Sequence, residues 1–307
     1  MKSSIKILAV LLVIGAVVAV LAFGDSVFAA SPGRMTCLVA GLDDAAENTD
    51  VLSVVEFDFA ADSIKVIQIP RDTYFNSGRS QNKINQIFSS LRADGASRHR
   101  AMKVLAEALT ESLGIKIDGY VGITTQAFKD SVAFFGGIYV DSPKKTELLY
   151  DDGSTALHLM KGENHLSPDQ ALLLARYRSG YIRGDLDRLE AQRLLIRGFY
   201  KTVVRNGGYK KLAAMLISLS GLTTNVSLTQ VVPLIGRVPD ISGMTVTVEI
   251  MPGEAVADAR GIWYYSLNRR GAIDLLCTYS TFDEEKFDTK RLFLNEEDEK
   301  FSIIYNR

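Results

Sequence analysis

The chain has 307 residues, of which 47% are hydrophobic and 23% are charged, and its formal net charge is -1. A chain of this length and composition can bury a large core, in one big domain or two small ones. Its balanced charge and its lack of a nucleic-acid-binding motif argue against nucleic acid as a partner. Two cysteines, Cys37 and Cys277, lie far apart in the sequence, and this spacing fits either a disulfide or two separate thiols.

The N-terminal segment contains an uncharged apolar run over residues 7–23, preceded by Lys2 and Lys6. As a helix this run would be about 26 Å long, close to the thickness of a bilayer's hydrocarbon core. The preceding lysines predict a single-pass signal anchor in the cell membrane, with the rest of the chain on the extracytoplasmic side. A cleaved signal peptide and a secreted domain are the alternative, because residues 27–29 fit a cleavage site. The predicted organisation is a cytoplasmic tip, transmembrane anchor and junction over 1–30, a linker over 31–34, one domain over 35–280 and a charged tail over 281–307.

From residue 35 onward, strand-like and helix-like segments alternate, which predicts an α/β fold. The opening strands form a hairpin, so a mixed central sheet is favoured over a purely parallel one. The predicted strands cover residues 35–40, 51–58, 63–69, 120–124, 138–141 and 244–250. One predicted helix begins near Lys83, and the others cover residues 101–113, 126–134, 209–219, 228–235 and 270–279.

A helix start is encoded at Ser167, which is followed by Pro168 and Gln170. Ser167 fits the N-cap, proline fits the first helical position, and glutamine completes a capping box. We expect this helix to end near Arg176. In a continuing helix Arg176 and Arg178 would point to nearly opposite sides, whereas in an extended chain their guanidinium groups share a face.

A second helix is predicted from Asp185, where Arg188 and Gln192 lie four residues apart and continue into the apolar stripe of Leu195 and Phe199. Polar groups therefore occupy the inward face at the helix N-terminus, where backbone N–H groups favour an anion. Guanidinium groups bind phosphate in a bidentate manner, so the pattern indicates a phosphate site. The alternative is an ordinary solvated loop rich in arginine.

An acidic loop and a strand end supply further candidates. The loop contains Asp43, Asp44, Glu47 and Asp50, and hard carboxylate oxygens suit Mg²⁺ or Ca²⁺, although such a loop can also be simply solvated. The strand predicted over 63–69 stops at Pro70, directly before Arg71 and Asp72.

Several short motifs, taken in their order along the chain, are similar to those of the LytR-CpsA-Psr family of extracytoplasmic phosphotransferases. They are Val39-Ala40-Gly41-Leu42-Asp43, Thr49-Asp50, Ile69-Pro70-Arg71-Asp72-Thr73-Tyr74, Lys83-Ile84-Asn85, Gly136-Gly137-Ile138, Gly162-Glu163-Asn164-His165-Leu166-Ser167, Arg176-Tyr177-Arg178, and Gly184-Asp185 with Arg188 and Gln192. The resemblance implies a single three-layer αβα sandwich around a mixed central sheet. It also implies an enzyme that moves a glycan phosphate from a polyprenyl pyrophosphate-linked carrier to a peptidoglycan hydroxyl during cell-wall assembly.

The resemblance also implies roles for individual residues. Asp43 and Asp50 would hold Mg²⁺, and Asp72 or Asp185 would accept the proton of the acceptor hydroxyl. Asp185 and Gln192 would orient or complete the shell around the pyrophosphate. The residues implied to contact the pyrophosphate-linked substrate are Arg71, Lys83, Arg176, Arg178, Arg188 and Gln192, with Arg71 also placed among the catalytic residues.

Two alternatives to the phosphotransferase remain open at the level of sequence. Glu47-Asn48-Thr49 stands where the family often has an arginine just before the metal-binding aspartate, so one phosphate contact differs. A non-catalytic polyprenyl pyrophosphate-binding or scaffold protein would keep binding without transfer. A lipid pyrophosphatase would release the lipid phosphate without a sugar acceptor.

Overall fold

The structure is a computed structural model, which describes most of the chain between residues 34 and 293. Within that range it leaves out residues 44, 59, 79–81, 150–152, 178–184, 207–210, 212–213, 216–217, 219–220, 226–244 and 259, and for 185–189 it describes the backbone alone. The predicted anchor over 1–30 and the helices predicted over 209–219 and 228–235 therefore lie wholly or largely outside the described residues. Within the described part, no helix is long and apolar enough to cross a membrane.

A six-stranded mixed sheet forms the centre of the fold, in the order β10-β5-β1-β2-β3-β11. Strand β2 is antiparallel to both of its neighbours, β1 and β3, whereas β5 runs parallel to β1 and β11 runs parallel to β3. The prediction of a mixed sheet in an α/β fold is confirmed. The strands are β1 (Arg34–Leu42), β2 (Thr49–Asp58), β3 (Ser63–Ile69), β5 (Gly119–Ile123), β10 (Leu222–Thr224) and β11 (Thr245–Ile250).

The described part of the chain also contains four two-stranded sheets, and most of their strands were not predicted from the sequence. Their short segments carry weak alternation, which does not distinguish a strand from an irregular loop. The pairs are β4 (Gly114–Ile115) with β14 (Phe282–Phe287), β6 (Ile138–Ser142) with β9 (Gly162–Leu166), β7 (Thr146–Leu149) with β8 (Thr155–Leu159), and β12 (Gly253–Ala257) with β13 (Trp263–Leu267).

Seven helices have described bounds. They are α1 (Gln86–Ala93), α2 (Arg98–Leu113), α3 (Thr125–Phe134), α4 (Pro168–Arg176), α5 (Asp185–Arg205), α6 (Arg269–Leu276) and α7 (Thr289–Leu292). Helix α4 begins as predicted, because Ser167 accepts from the N–H of Gln170 and the Gln170 side chain accepts from the N–H of Ser167. It ends at Arg176, and Tyr177 is already extended.

Alternate residues of the central strands enter two different core clusters, as expected of a sheet with apolar side chains on both faces. Val39 of β1 packs in the first cluster, and its neighbours Leu38 and Ala40 pack in the second. The first cluster contains apolar residues of α3, α4 and α5, and the second contains those of α1, α2 and α6.

Helix α5 lies close against β6 because its sequence has a glycine at the contact. A Cβ atom on Gly198 would overlap the carbonyl oxygen of Tyr139. The next turn strengthens the contact, since the N–H of Tyr139 donates to the hydroxyl of Thr202 at 2.9 Å. These contacts fix the helix that carries Gln192.

The structure adds to two points of the sequence analysis. The tail was expected to start at residue 281, yet β14 pairs with β4, and Phe287, Leu292 and Phe293 are buried in the second core cluster. The charged residues of this segment lie on its outer side. Their number made the whole segment look like an exposed tail in the sequence. Both cysteines are free thiols, Cys37 buried and Cys277 exposed. Burial raises the pKa of the Cys37 thiol well above its ordinary value.

Candidate functional site

A tight turn after β3 presents the predicted Arg71 and Asp72. Pro70 ends the strand, and its carbonyl oxygen accepts from both the N–H and the hydroxyl of Thr73, at 2.9 and 2.6 Å. The buried Thr73 then accepts from the N–H of Ile84 through its own carbonyl at 2.9 Å. The bond between Ile84 and Thr73 brings Lys83, which precedes Ile84, next to the turn.

Four charged side chains form a continuous network at this turn. Nη1 of Arg71 donates to Oδ1 of Asp50 at 2.6 Å, and its Nε lies 3.6 Å from Oδ2 of Asp72. Nζ of Lys83 donates to Oδ1 of Asp72 at 2.9 Å. Asp50 is nearly fully buried, whereas the Asp72 side chain is 33% exposed, so the network leads from the protein interior to solvent.

The structure places two aromatic residues beside this network, and the sequence alone does not indicate either of them. Nζ of Lys83 lies 5.7 Å from the centre of the Tyr264 ring, which meets the Tyr74 ring edge to face at 5.5 Å. Burial raises the pKa of both tyrosines above their ordinary value, so both rings stay neutral near pH 7. Strand β13 holds Tyr264 here, because the N–H of Tyr265 donates to the carbonyl of Asp72 at 2.9 Å.

Asp43 lies in the loop between β1 and β2, where its carboxylate closes the loop. Oδ1 accepts from the N–H of Glu47 at 2.8 Å, and Oδ2 accepts from the side-chain amide of Asn48 at 2.7 Å. Glu47 forms an ion pair with Arg92 of α1 at 2.7 Å. The acidic loop is thus an ordered structure with its own hydrogen bonds, and it differs from the simple solvated loop that the sequence left open.

Asp50 reaches the network through an irregularity in the sheet. Gly41 pairs with Val51, and Leu42 pairs with Thr49, so Asp50 is the extra residue of a bulge. Bulges redirect a side chain at a sheet edge or a functional site. The same strand end therefore carries both Asp50 and the acidic loop of Asp43.

A cation held by Asp43 and Asp50 fits the chemistry of these side chains. Both carboxylates are buried, and Mg²⁺ commonly uses one or two carboxylates together with substrate phosphates. Among the described residues, no group of three or more His, Cys, Asp or Glu side chains is arranged to hold a metal ion. A magnesium ion at these two aspartates would thus take its remaining ligands from substrate phosphates or water.

Of the predicted arginines on the two helices, the structure describes the side chain of Arg176 only. Its Nη2 donates to the hydroxyl of Thr125 at 3.3 Å, at the first turn of α3. Arg178 lies outside the described residues, and the side chains of Asp185 and Arg188 are likewise not described. Helix α5 does begin at Asp185, as predicted from the sequence.

Gln192 is placed as predicted, on the buried stripe of α5. Its side chain is 1% exposed, and the neighbouring Ala191, Leu195 and Ile196 belong to the first core cluster. Within the described part of the chain, neither atom of its amide group has a hydrogen-bond partner. Such a group costs free energy when it stays unpaired, which indicates a polar ligand at this point.

The charged network at the end of β3 is suited to an anion. Arg71 and Lys83 present positive charge there, and Asp72 offers a partly exposed carboxylate. Gln192, on α5, provides a buried neutral donor and acceptor. Positioned cations of this kind bind phosphate and stabilise the charge that develops in phosphoryl transfer.

Curated proteins with similar sequences include two teichoic acid transferases. The chain is 30% identical over 254 residues to the polyisoprenyl-teichoic acid--peptidoglycan teichoic acid transferase TagU of Bacillus anthracis (strain CDC 684 / NRRL 3495), covering 79% of this chain and 76% of that one. It is 29% identical over 204 residues to the corresponding transferase TagV of Bacillus subtilis (strain 168), covering 63% of this chain and 50% of that one.

Solved structures share the fold. The crystal structure of B. subtilis TagV superposes with a TM-score of 0.63 at 25% identity, covering 83% of this chain and 97% of that one. A Streptococcus agalactiae protein, gbs0355, superposes with a TM-score of 0.66 at 19% identity, covering 87% and 92%. Residues 22–276, more than half of the chain, match the LytR_cpsA_psr family. The chain therefore belongs to the LytR_cpsA_psr family.

Proposed function

We propose that this protein is a transferase that attaches a teichoic acid or a similar glycopolymer to peptidoglycan. In this proposal it takes a glycan phosphate from a polyprenyl pyrophosphate-linked carrier and moves it to a peptidoglycan hydroxyl. The observation that carries the proposal is the contact of Arg71 with both Asp50 and Asp72, beside Lys83. The names of the relatives support the choice of donor and acceptor.

The charged network supplies what phosphoryl transfer needs. Arg71 and Lys83 would neutralise the negative charge of the pyrophosphate, and Arg176, at the end of α4, would add a further positive charge. Asp72 already contacts both cations, and substrate binding would draw Arg71 and Lys83 toward phosphate and release this carboxylate as a base. Asp185 is the second candidate for the base, and Arg178, Arg188 and Gln192 complete the proposed substrate site.

We further propose that Mg²⁺ binds at Asp43 and Asp50. The two buried carboxylates suit a hard divalent cation, and the substrate phosphates would provide its remaining ligands. The ion would supply positive charge to the transferred phosphoryl group when it is bound.

The proposed setting is the outer face of the cell membrane. The apolar segment over residues 7–23 would act as a signal anchor, or be cleaved to release the domain. The two core clusters, each with its own set of helices, support a three-layer αβα sandwich. An anchor of this kind would hold the site close to a lipid-linked donor.

Transfer of labelled glycan from a polyprenyl pyrophosphate donor to peptidoglycan fragments, with and without Mg²⁺, tests the proposal. We expect metal-dependent product that falls by about 100-fold or more in Asp50→Asn, since one oxyanion-stabilising or metal contact is commonly worth this much. Asp58→Asn is the matched control, because Asp58 is a buried aspartate of the same strand paired with Arg34.

Three other outcomes contradict the proposal in different ways. Tight donor binding without product, in the presence of Mg²⁺ and acceptor, would favour a scaffold protein. Release of lipid phosphate at the same rate without the acceptor would identify a pyrophosphatase. Equal activity with and without Mg²⁺ would remove the metal from the proposal.

A further inference from the structure

Two polar residues interrupt an otherwise apolar row across the central sheet. Strand register places Ser53 of β2 directly opposite Gln68 of β3, with Val39 of β1 on the other side of Ser53 and Ile250 of β11 beside Gln68. The next row toward the other end of these strands is entirely apolar. It consists of Cys37, Val55, Val66 and Val248.

Both polar residues are completely buried, and their polar atoms have no protein partner. Ser53 and Gln68 are each 0% exposed. Within the described residues, the Ser53 hydroxyl and both amide atoms of Gln68 make no hydrogen bond. Since an unpaired buried polar group destabilises the folded state, an apolar side chain of similar size would be more stable here. The position of these polar groups indicates a ligand.

The polar pair faces the same core cluster as Gln192. Val39 and Val66, which flank the pair in its own row and the next, belong to the first cluster, as do the neighbours of Gln192 on α5. Helix α5 also contacts β11, the strand beside β3. Three buried polar side chains that lack partners among the described residues, two from the sheet and one from the helix, thus face the same core cluster.

Along strands β2 and β3, the polar pair lies inward of the charged network. Ser53 follows Asp50 by three residues, and Gln68 precedes Arg71 by three residues, a distance of about 10 Å along a strand. Moving inward, the residues change from cations at the strand ends to neutral donors and then to purely apolar side chains. A phosphate attached to an apolar chain has the same order of charge and polarity.

We propose that Ser53 and Gln68, together with Gln192, bind the isoprenoid-linked phosphate of the donor. This inference rests on the proposed function, because it takes an isoprenoid diphosphate as the ligand. The hydroxyl and the amides donate hydrogen bonds to phosphate oxygens without adding charge, and the cations at the strand ends face the outer phosphate. Gln68 and Ser53 are therefore binding residues of the inner phosphate.

Binding of farnesyl diphosphate and farnesyl monophosphate to the full chain, measured by calorimetry, tests this assignment. Gln68→Met and Ser53→Ala should weaken both ligands by the same factor, about tenfold for Gln68→Met, since a hydrogen bond to a charged group is lost. Neither variant should lower the melting temperature of the free protein, because each removes an unpaired buried polar group.

Ser112→Ala is the matched control. Ser112 of α2 is also fully buried with a hydroxyl that lacks a partner among the described residues, but α2 packs in the second core cluster. It should leave the affinity for both ligands unchanged.

Each other result contradicts the assignment. Unchanged affinity in Gln68→Met would mean that the amide serves no ligand. Weakened binding of the diphosphate alone would assign Gln68 to the outer phosphate. Loss of affinity together with a lower melting temperature would indicate a structural role. If the native chain bound neither compound, the proposed function would fail, and this inference with it.

Discussion

Strand β2 carries a buried aspartate near each end, and each aspartate forms an ion pair with an arginine. Asp50 accepts from Arg71 at 2.6 Å, and Asp58 accepts from Arg34 at 2.8 Å. The two carboxylates are almost equally buried, with side chains 2% and 6% exposed. The pairs differ in the groups that surround them.

At the Asp58 end, the interactions stay local. Oδ1 of Asp58 accepts from the N–H groups of Ala60 and Ala61 at 3.1 and 3.0 Å, which closes the turn between β2 and β3. Burial acts to raise the pKa of Asp58, but hydrogen bonds from Arg34 and from the two backbone groups together lower it below its ordinary value. This pair holds a hairpin together.

At the Asp50 end, the interactions continue outward. Arg71 also contacts Asp72, which accepts from Lys83, and Asp72 is partly exposed. A buried ion pair by itself is therefore weak support for a functional site. The stronger sign is a chain of charged contacts that runs from a buried carboxylate to groups that a ligand can reach.

Removing the arginine at each end gives the largest predicted difference. Arg71→Ala should lower the rate of glycan transfer by about 100-fold or more, because it removes a cation that would stabilise the transferred phosphate. Arg34→Ala should leave that rate within about threefold of the native value. Arg34 is half exposed, and it pairs with Asp58 at the opposite end of β2 from Asp50. The measurement is transfer of labelled glycan at saturating donor.

Stability must be measured for the same pair of variants. Arg71→Ala leaves Asp50 buried with less compensating charge, which can cost about 3 to 5 kcal/mol of unfolding free energy. Arg71→Lys keeps a positive charge there and serves as the second variant. A folded Arg71→Lys with the native transfer rate would show that the arginine fork has no role in the reaction.

The pH dependence of stability sharpens the comparison at the Asp58 end. Because the folded-state pKa of Asp58 is lowered, its stabilisation is present above the unfolded pKa of about 3.9 and is lost as the pH falls through the folded pKa. Asp58→Asn should thus cost about 1 to 2 kcal/mol at pH 7, and the cost should shrink at pH 3.

Urea denaturation of both proteins at pH 7 and pH 3 measures this change. Asp274→Asn, on the exposed side of α6, is the control and should change the unfolding free energy little at either pH. A cost at Asp58 that is equal at the two pH values would mean that the ionised carboxylate contributes nothing to stability.

Local sequence signals were enough to predict the part of the candidate site that lies on α4 and α5. The capping box at Ser167, the end of α4 at Arg176 and the burial of Gln192 on α5 all depend on residues a few positions apart. Capping and helical periodicity are properties of neighbouring residues, so they can be predicted without knowledge of the tertiary contacts. The start of α5 at Asp185 was predicted for the same reason.

Contacts between distant segments could not be predicted in this way. Tyr264 lies beside Lys83 because β13 is hydrogen-bonded to the turn at Asp72, and no local pattern encodes that pairing. The parallel pairing of β3 with β11 likewise depends on tertiary structure. The roles proposed for Asp43, Asp72 and Lys83 rest on family resemblance, since an acidic loop or a lone lysine is equally typical of a solvated surface.

The smallest predicted effect concerns a structural residue close to the functional end. Ser167→Ala removes the side-chain acceptor at the N-terminus of α4, the helix that ends at Arg176. We expect a loss of about 0.5 to 1 kcal/mol in unfolding free energy, with the transfer rate nearly unchanged, because the cap lies at the opposite end of the helix from the arginine. Urea denaturation and the transfer assay, applied to the same preparation, separate the two effects. A transfer rate reduced tenfold with only this small loss of stability would show that α4 must be held rigidly for Arg176 to act, and it would extend the functional region from the end of β2 to the whole helix.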